Sequence, residues 1–262
     1  MPTHLPKPLV DAIESADTSW RPILLDGLTA VAEAHPDYLT SLVADDYLPT
    51  QGRIFSAFRQ PLGAIRQVLI GEGPYPREKS ATGVCFMDGA VESLWSESGL
   101  SKQVNRATSL RNFMKMLLVA QGMLSIDHTT ADAMVKVSSI ARASGSTFIQ
   151  TLAELQRNLE AEGFLLLNAA LVFRPTTPAV KEAKPWQPFM RVVLNTLADF
   201  AERKAQSPPT LVLWGKIAEQ LDGMPEAHRF PMAIAEHPYN LTFIGNATMQ
   251  ALFGPMNLLH KK

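Results

Sequence analysis

Four short, continuously apolar runs punctuate this chain, and each one ends in a polar or glycine-rich turn. Gln67 to Ile70 leads into Gly71-Glu72-Gly73-Pro74-Tyr75-Pro76, and Phe164 to Leu167 leads into Asn168. Leu211 to Leu213 leads into Trp214-Gly215, and Met232 to Ala235 leads into His237-Pro238-Tyr239-Asn240-Leu241. Apolar runs without alternation are what strands show when both faces of their sheet are covered. Helical spacing separates them. The pattern predicts an α/β fold, a four-stranded parallel sheet flanked by helices on both faces, with little room for further strands. Ligands of such open sheets bind beyond the carboxyl ends of the strands. Polar signatures gathered there favour an enzyme over a scaffold, and Tyr75, Phe86, Asn168 and His237 are expected to converge at that edge.

At 262 residues and 46% apolar content the chain can bury one sizeable core, and we expect a single domain over 1–262. Residues 1–18 read as a Pro-rich lead-in without an export signal, and no apolar run approaches the ~20 residues of a membrane span. Helices are expected over Trp20–Val43 (broken at Pro36), Arg53–Phe58, Ser109–Met123, Asp127–Arg142, Thr147–Glu162, Phe189–Lys204 and Ala247–His260. Thr108 or Ser109 is a candidate N-cap. The four prolines between Pro175 and Pro188 suggest a loop. Twenty-four Lys and Arg against 25 Asp and Glu exclude a polybasic tail, but not a local positive face suited to phosphates. A single cysteine, Cys85, forms no internal disulfide and fits a reducing cytoplasm.

Taken singly, the motifs leave alternatives open. The Gly71–Pro76 turn lets the backbone approach a ligand, yet tight turns of this composition are commonly structural. Phe86 would by default be a core residue. Asn168 offers a donor and an acceptor suited to a pyrimidine edge, or else it caps a turn. Trp214-Gly215 reads as packing. The six histidines (His4, His35, His128, His228, His237 and His260) lack paired ligand spacing, so no metal or other cofactor is expected. A nucleophile elbow and a phosphate-binding loop are also missing from the sequence.

Order and spacing carry more than any one motif. GEGPYP, GVCF, SLRNF, LLLNAAL, PWQPF, LVLWGKIA and HPYNL follow one another from about Ser19 to the C-terminus. This series resembles the uracil-DNA glycosylase superfamily, most nearly its narrow uracil-specific branch with GQDPYH, GLAF, SLxN, LLLNTVLTV and HPSPLS. The resemblance implies a metal-free glycosylase of base-excision repair that flips uracil, or a related damaged base, from DNA, and a monomer is the default expectation. Phe86 would stack on the base, Asn168 would read its Watson–Crick edge and Tyr75 would exclude the thymine methyl. His237 would donate to the departing uracil O2, and Leu241 would wedge into the duplex. Ser109, Thr242 and the loops near Pro49 and Pro175 would grip phosphates.

The departures are as informative as the matches. The branch's catalytic aspartate position is Gly73 here, with Glu72 one residue earlier, where another branch keeps its working acid. Glu72 is therefore the expected catalytic carboxylate. Pro76 stands for a histidine, Tyr239-Asn240 for Ser-Pro, and residues 121–146 form a possible insertion. The rival readings are a weakened relative that binds uracil-containing or abasic DNA, and a structural protein that kept only the fold.

Overall fold

The computed structural model describes residues 5–262, so His4 and the start of the lead-in lie outside the described residues. The chain runs through helices α1 (Lys7–Ala12), α2 (Arg21–Ala34) and α3 (Tyr38–Val43) into strand β1 (Gln67–Gly71). Two-residue strands β2 (Trp95–Ser96) and β3 (Gly99–Leu100) follow, then α4 (Lys102–Arg106), α5 (Thr108–Ala120), α6 (Ala131–Arg142) and α7 (Leu152–Ala161). Strand β4 (Phe164–Asn168) precedes α8 (Ala179–Ala183) and α9 (Gln187–Arg203). The order closes with β5 (Thr210–Trp214), α10 (Lys216–Asp222), β6 (Met232–Ala235) and α11 (Ala247–Phe253).

Four strands form one sheet in the order β4-β1-β5-β6. β1 and β4 pair in parallel from Gln67 opposite Phe164 to Gly71 opposite Asn168. Leu211 N–H donates to Pro231 and Gly215 N–H to Ala235, both at 2.9 Å, the even advance of a parallel pair. The expected parallel sheet flanked by helices is the observed one. β1, β4 and β5 have buried cores, as their unbroken apolar runs require. β6 is the exception: it lies at an edge, and Ile234 is 51% exposed.

Two compact units are distinguishable along the chain. One comprises Met1–Asp88, Gly163–Val212 and Ile217–Met232; the other comprises Gly89–Glu162, Leu213–Lys216 and Ala233–Lys262. In the first, α2 packs on α9 so closely that a Cβ on Gly27 would stand 2.5 Å from Phe189 Cδ2. Phe189 is ringed by Phe55, Phe58 and Trp186 at centroid distances of 5.9, 6.1 and 5.7 Å. Each of these buried rings contributes about 1.5–3 kcal/mol of transfer free energy. In the second unit, Trp214 meets Phe113, Phe243 and Phe253 at 5.8, 5.4 and 6.4 Å. Its indole N–H donates to Met249 Sδ at 3.2 Å, so the buried donor is satisfied.

Several expected boundaries move. The segment 175–188 is not a loop throughout: it holds α8, a 3-10 turn over Lys184–Trp186 and the start of α9. Pro178, Pro185 and Pro188 sit at helix starts, where a missing N–H costs nothing, and only Pro175 lies in the turn before them. The helix expected from Thr147 begins at Leu152, because Thr151 and Glu154 form a reciprocal capping box. Residues 148 and 149 are instead drawn into backbone pairing with the C-terminal segment (Ile149 N–H to Leu259, 2.9 Å). Ala107, not Thr108 or Ser109, is the N-cap of α5. The helix from Ala247 ends at Phe253, with a 3-10 turn over Gly254–Met256. The β2–β3 hairpin adds two short strands to the four expected, turning through Glu97 and Ser98 into Gly99, whose φ is +124°.

Candidate active site

The β1 turn is built by continuing the ladder past the ends of two strands. Ala169 N–H donates to Gly71 at 2.8 Å and Ala170 N–H to Glu72 at 3.0 Å. Asn168, 5% exposed, is thereby held beside Gly71, its partner in the register. A Cβ on Gly71 would come within 2.5 Å of Cys85 Sγ and 3.0 Å of Asn168 Oδ1, so only glycine allows this approach. Cys85 N–H donates to Leu166 at 2.9 Å, which docks the Gly83–Phe86 segment on β4. Phe86, half-buried, has φ +67°, a left-handed backbone that a bulky side chain adopts only when its surroundings impose it. Burial pushes the half-buried Tyr75 hydroxyl well up, helped by neighbouring Cys85 and Asp88, so it remains a neutral phenol. Burial likewise pushes the Cys85 thiol up to about 12.

Glu72 is exposed and lines a cavity of about 220 Å³ together with Gly73, Pro76, Arg174 and Glu182. Arg174 Nε donates to Glu182 Oε2 at 2.9 Å, and Tyr38 hydrogen-bonds the same carboxylate. The guanidinium also covers the Tyr38 ring, 5.5 Å from its centroid. Glu182 is 2% exposed, so this ion pair stiffens one wall of the cavity. Gly73 has ordinary space around it: a Cβ there would meet Ala170 Cβ at 3.5 Å. The two proline loops also belong to this unit and pair at Leu48 and Phe173, whose backbones exchange bonds of 2.9 and 2.8 Å. Pro49 is buried beside that bridge and Pro175 is exposed.

The residues after β6 are organised in the second unit. Tyr239 N–H donates to His237 Nδ1 at 3.1 Å. An acceptor Nδ1 means a neutral ring with its proton on Nε2, which makes Nε2 the donor. Gly215 at the end of β5 backs this histidine: its φ is +61°, and a Cβ would stand 3.0 Å from His237 Cβ. Asn112, fully buried on α5, donates from Nδ2 to the carbonyls of Pro238, Tyr239 and Asn240 at 2.8, 3.3 and 3.3 Å. With the loop fixed from beneath, Tyr239 and Leu241 are presented to solvent, 68% and 69% exposed. From the expected insertion, Ile126 reaches Gly245 so closely that a Cβ there would lie 2.3 Å from its Cδ1. Ser109 is half-buried in the first turn of α5. Thr242 is exposed, and its hydroxyl bonds the Glu236 carboxylate. Burial works to raise that carboxyl, but hydrogen bonds from its own backbone, Thr242 and Asn246 outweigh it and hold it below the usual range.

Among the expected residues, Glu72, Tyr75, Phe86 and Asn168 thus lie around one glycine turn, while Ser109, His237, Leu241 and Thr242 belong to the other unit. Sequence reading passed over Asn112 and the Arg174–Glu182 pair, and gave Gly215 a packing role only. The SLRNF motif contained Asn112, but only its burial against a loop 126 positions later shows its task. Among the described residues, no three His, Cys, Asp or Glu side chains cluster as metal ligands would, and no helix is long and apolar enough to cross a membrane.

The fold is a parallel α/β sheet flanked by helices, with a buried asparagine beside a glycine turn in one unit and a histidine on an anchored loop in the other. The wild-type UNG of Nitratifractor salsuginis superposes with a TM-score of 0.86 at 36% identity, over 100% of this chain and 99% of that one. Uracil-DNA glycosylase of Thermobifida fusca is 28% identical over 249 residues, 91% of this chain and 89% of the relative. Uracil-DNA glycosylase 1 of Streptomyces avermitilis is 26% identical over 236 residues, 89% and 84% of the two chains. No family model matches. The chain belongs to the uracil-DNA glycosylase superfamily.

Proposed function

We propose that this protein is a monofunctional DNA glycosylase that removes uracil by hydrolysing its N-glycosidic bond. The observation that carries the reading is the buried Asn168 held against Gly71, a donor and acceptor at the floor of a glycine turn. The base is flipped out of the duplex, at a cost of a few kcal/mol of unstacking. Asn168 donates to uracil O4 and accepts from N3–H, Phe86 stacks on the ring and Tyr75 lies beside C5, excluding thymine. Leu241 enters the minor groove and fills the gap. Ser109, Thr242 and the loops at Pro49 and Pro175 contact phosphates.

As the C1′–N1 bond breaks, its electron pair leaves with uracil and positive charge develops on the sugar. His237 Nε2–H hydrogen-bonds O2 as that oxygen gains charge; one such donor is worth about 3 kcal/mol. Glu72 faces the cationic sugar and takes the proton of the water that adds to C1′. The products are free uracil and an abasic site. The protein acts as a monomer without metal, and a single buried cysteine suits a reducing cytoplasm.

The test is abasic-site formation on a uracil-containing oligonucleotide, read on a gel after alkaline cleavage. Strand breaks confined to the uracil position are expected. Gly73, which supplies no carboxylate, favours a second reading in which the chain binds such DNA without cutting the bond. Binding without any abasic product would establish that reading and overturn the first.

A further inference from the structure

We propose that α4 and α5 carry the DNA backbone alongside the Leu241 loop, with Arg111 and Lys115 each taking a phosphate. This rests on the reading above that the substrate is DNA, and it names the surface that grips it.

Charge along the sequence is the first observation. Residues 98–126 contain four cations, Lys102, Arg106, Arg111 and Lys115, and no Asp or Glu, in a chain whose net charge is −1. Every other stretch that contains as many cations mixes them with carboxylates. None of these four side chains forms an ion pair among the described residues, whereas Arg21, Arg174 and Arg229 all do. Lys102 and Arg106 are exposed, and Arg111 and Lys115 are half-buried.

Geometry is the second. Arg111 is held in place: Nη1 donates to the Asn105 carbonyl at 3.1 Å and Nε to Asn112 Oδ1 at 3.4 Å. Its Nη2 has no partner among the described residues. The Asn112 amide that accepts from Arg111 is the one that donates to Pro238, Tyr239 and Asn240. One side chain therefore joins the guanidinium to the loop that presents Leu241. At 100° per residue, Arg111 and Lys115 lie about 100° and 60° round the helix from Asn112 on the same side, one turn apart. Two cations so placed without a counter-charge repel each other. Burial and the Arg111 charge both hold the Lys115 ammonium below its usual range. A bound phosphate relieves that repulsion, and a row of them is what a DNA strand supplies. Pre-positioned Arg suits the geometry of phosphate oxygens, and Lys supplies a point charge.

The test uses the double variant Arg111→Gln/Lys115→Gln, with Arg203→Gln/Lys204→Gln at the C-terminal end of α9 as a control that removes the same charge elsewhere. Binding to a uracil-containing duplex is followed by fluorescence anisotropy between 50 and 200 mM salt, and single-turnover excision is measured at saturating DNA. Each lost phosphate contact flattens the log–log salt slope by about 0.9. The first variant should flatten it by about 2 and bind at least ~10-fold more weakly at low salt. The control should keep the wild-type slope. An unchanged slope in a folded R111Q/K115Q protein overturns the proposal, as does an equal loss in the control. A wild-type protein that binds duplex with a steep slope but releases no uracil sinks the glycosylase reading and leaves this one standing.

Discussion

His237 and Gly215 approach so closely that a Cβ on Gly215 would lie 3.0 Å from His237 Cβ, with Gly215 in the left-handed region at φ +61°. Both facts select glycine, and they act on the residue assigned to stabilise the leaving base. Gly215→Ala should cost about 1–2 kcal/mol of stability from the backbone alone. It should also displace the imidazole and slow excision by up to about 10²-fold, the usual penalty for a misplacement near 1 Å. Thermal melting and single-turnover excision check the two effects separately. Wild-type excision in a folded variant would remove Gly215 from the positioning of His237.

Glu72 is exposed and lines a cavity that Gly73 also borders. Glu72→Gln should lower excision by about 10²- to 10⁴-fold, the range for a positioned acid–base group. Gly73 has neither a left-handed φ nor a crowded Cβ position, so Gly73→Asp should fold without strain. In the Glu72→Gln background it should restore part of the lost rate. Excision that ignores Glu72→Gln would eliminate this carboxylate as the catalytic group, whatever Gly73→Asp does.

Leu241 is 69% exposed at the head of a loop anchored by Asn112, so its side chain is free of the core. Leu241→Ala should leave thermal stability nearly unchanged. Excision should fall several-fold on duplex DNA and little on single strands, because only a duplex leaves a gap to fill. Equal losses on the two substrates would deny Leu241 that role.

The thiol of Cys85 is raised from 9.0 to about 12 by burial, and burial also raises the hydroxyls of Tyr75 and Tyr38 above 10.0. A group whose pKa is higher in the folded state stabilises fully below its unfolded pKa and loses that contribution as pH climbs to the folded one. Stability should therefore hold to about pH 9 and decline steadily towards pH 12. Urea midpoints at pH 7, 9 and 10.5 measure this. Cys85→Ala should shallow the decline, and an identical decline in that variant would assign it to the tyrosines alone.

The strands were legible because their signal is local: a run of Val, Ile and Leu closed by glycine, asparagine or histidine needs no partner to be recognised. The α2–α3 break at Pro36 and the end of α7 before Gly163 were legible for the same reason, since proline and positive-φ glycine act through their own backbones. Local rules also misled. Prolines between 175 and 188 read as a loop, though Pro178, Pro185 and Pro188 stand at helix starts. Residues 148 and 149 carried helical spacing, yet pairing with the C-terminal segment claimed their backbone.

By itself, the sequence determined the α/β class, the order of strands and helices, and the residue types at each strand's end. Tertiary structure decided how those residues are held: Gly71 against Cys85 and Asn168, Gly215 against His237, Asn112 beneath Pro238, Arg174 paired with Glu182. The reason is distance along the chain. Periodicity and turn chemistry report on neighbours a few residues apart, whereas a close approach, a buried amide's partners or an unpaired cation exists only once distant segments have packed.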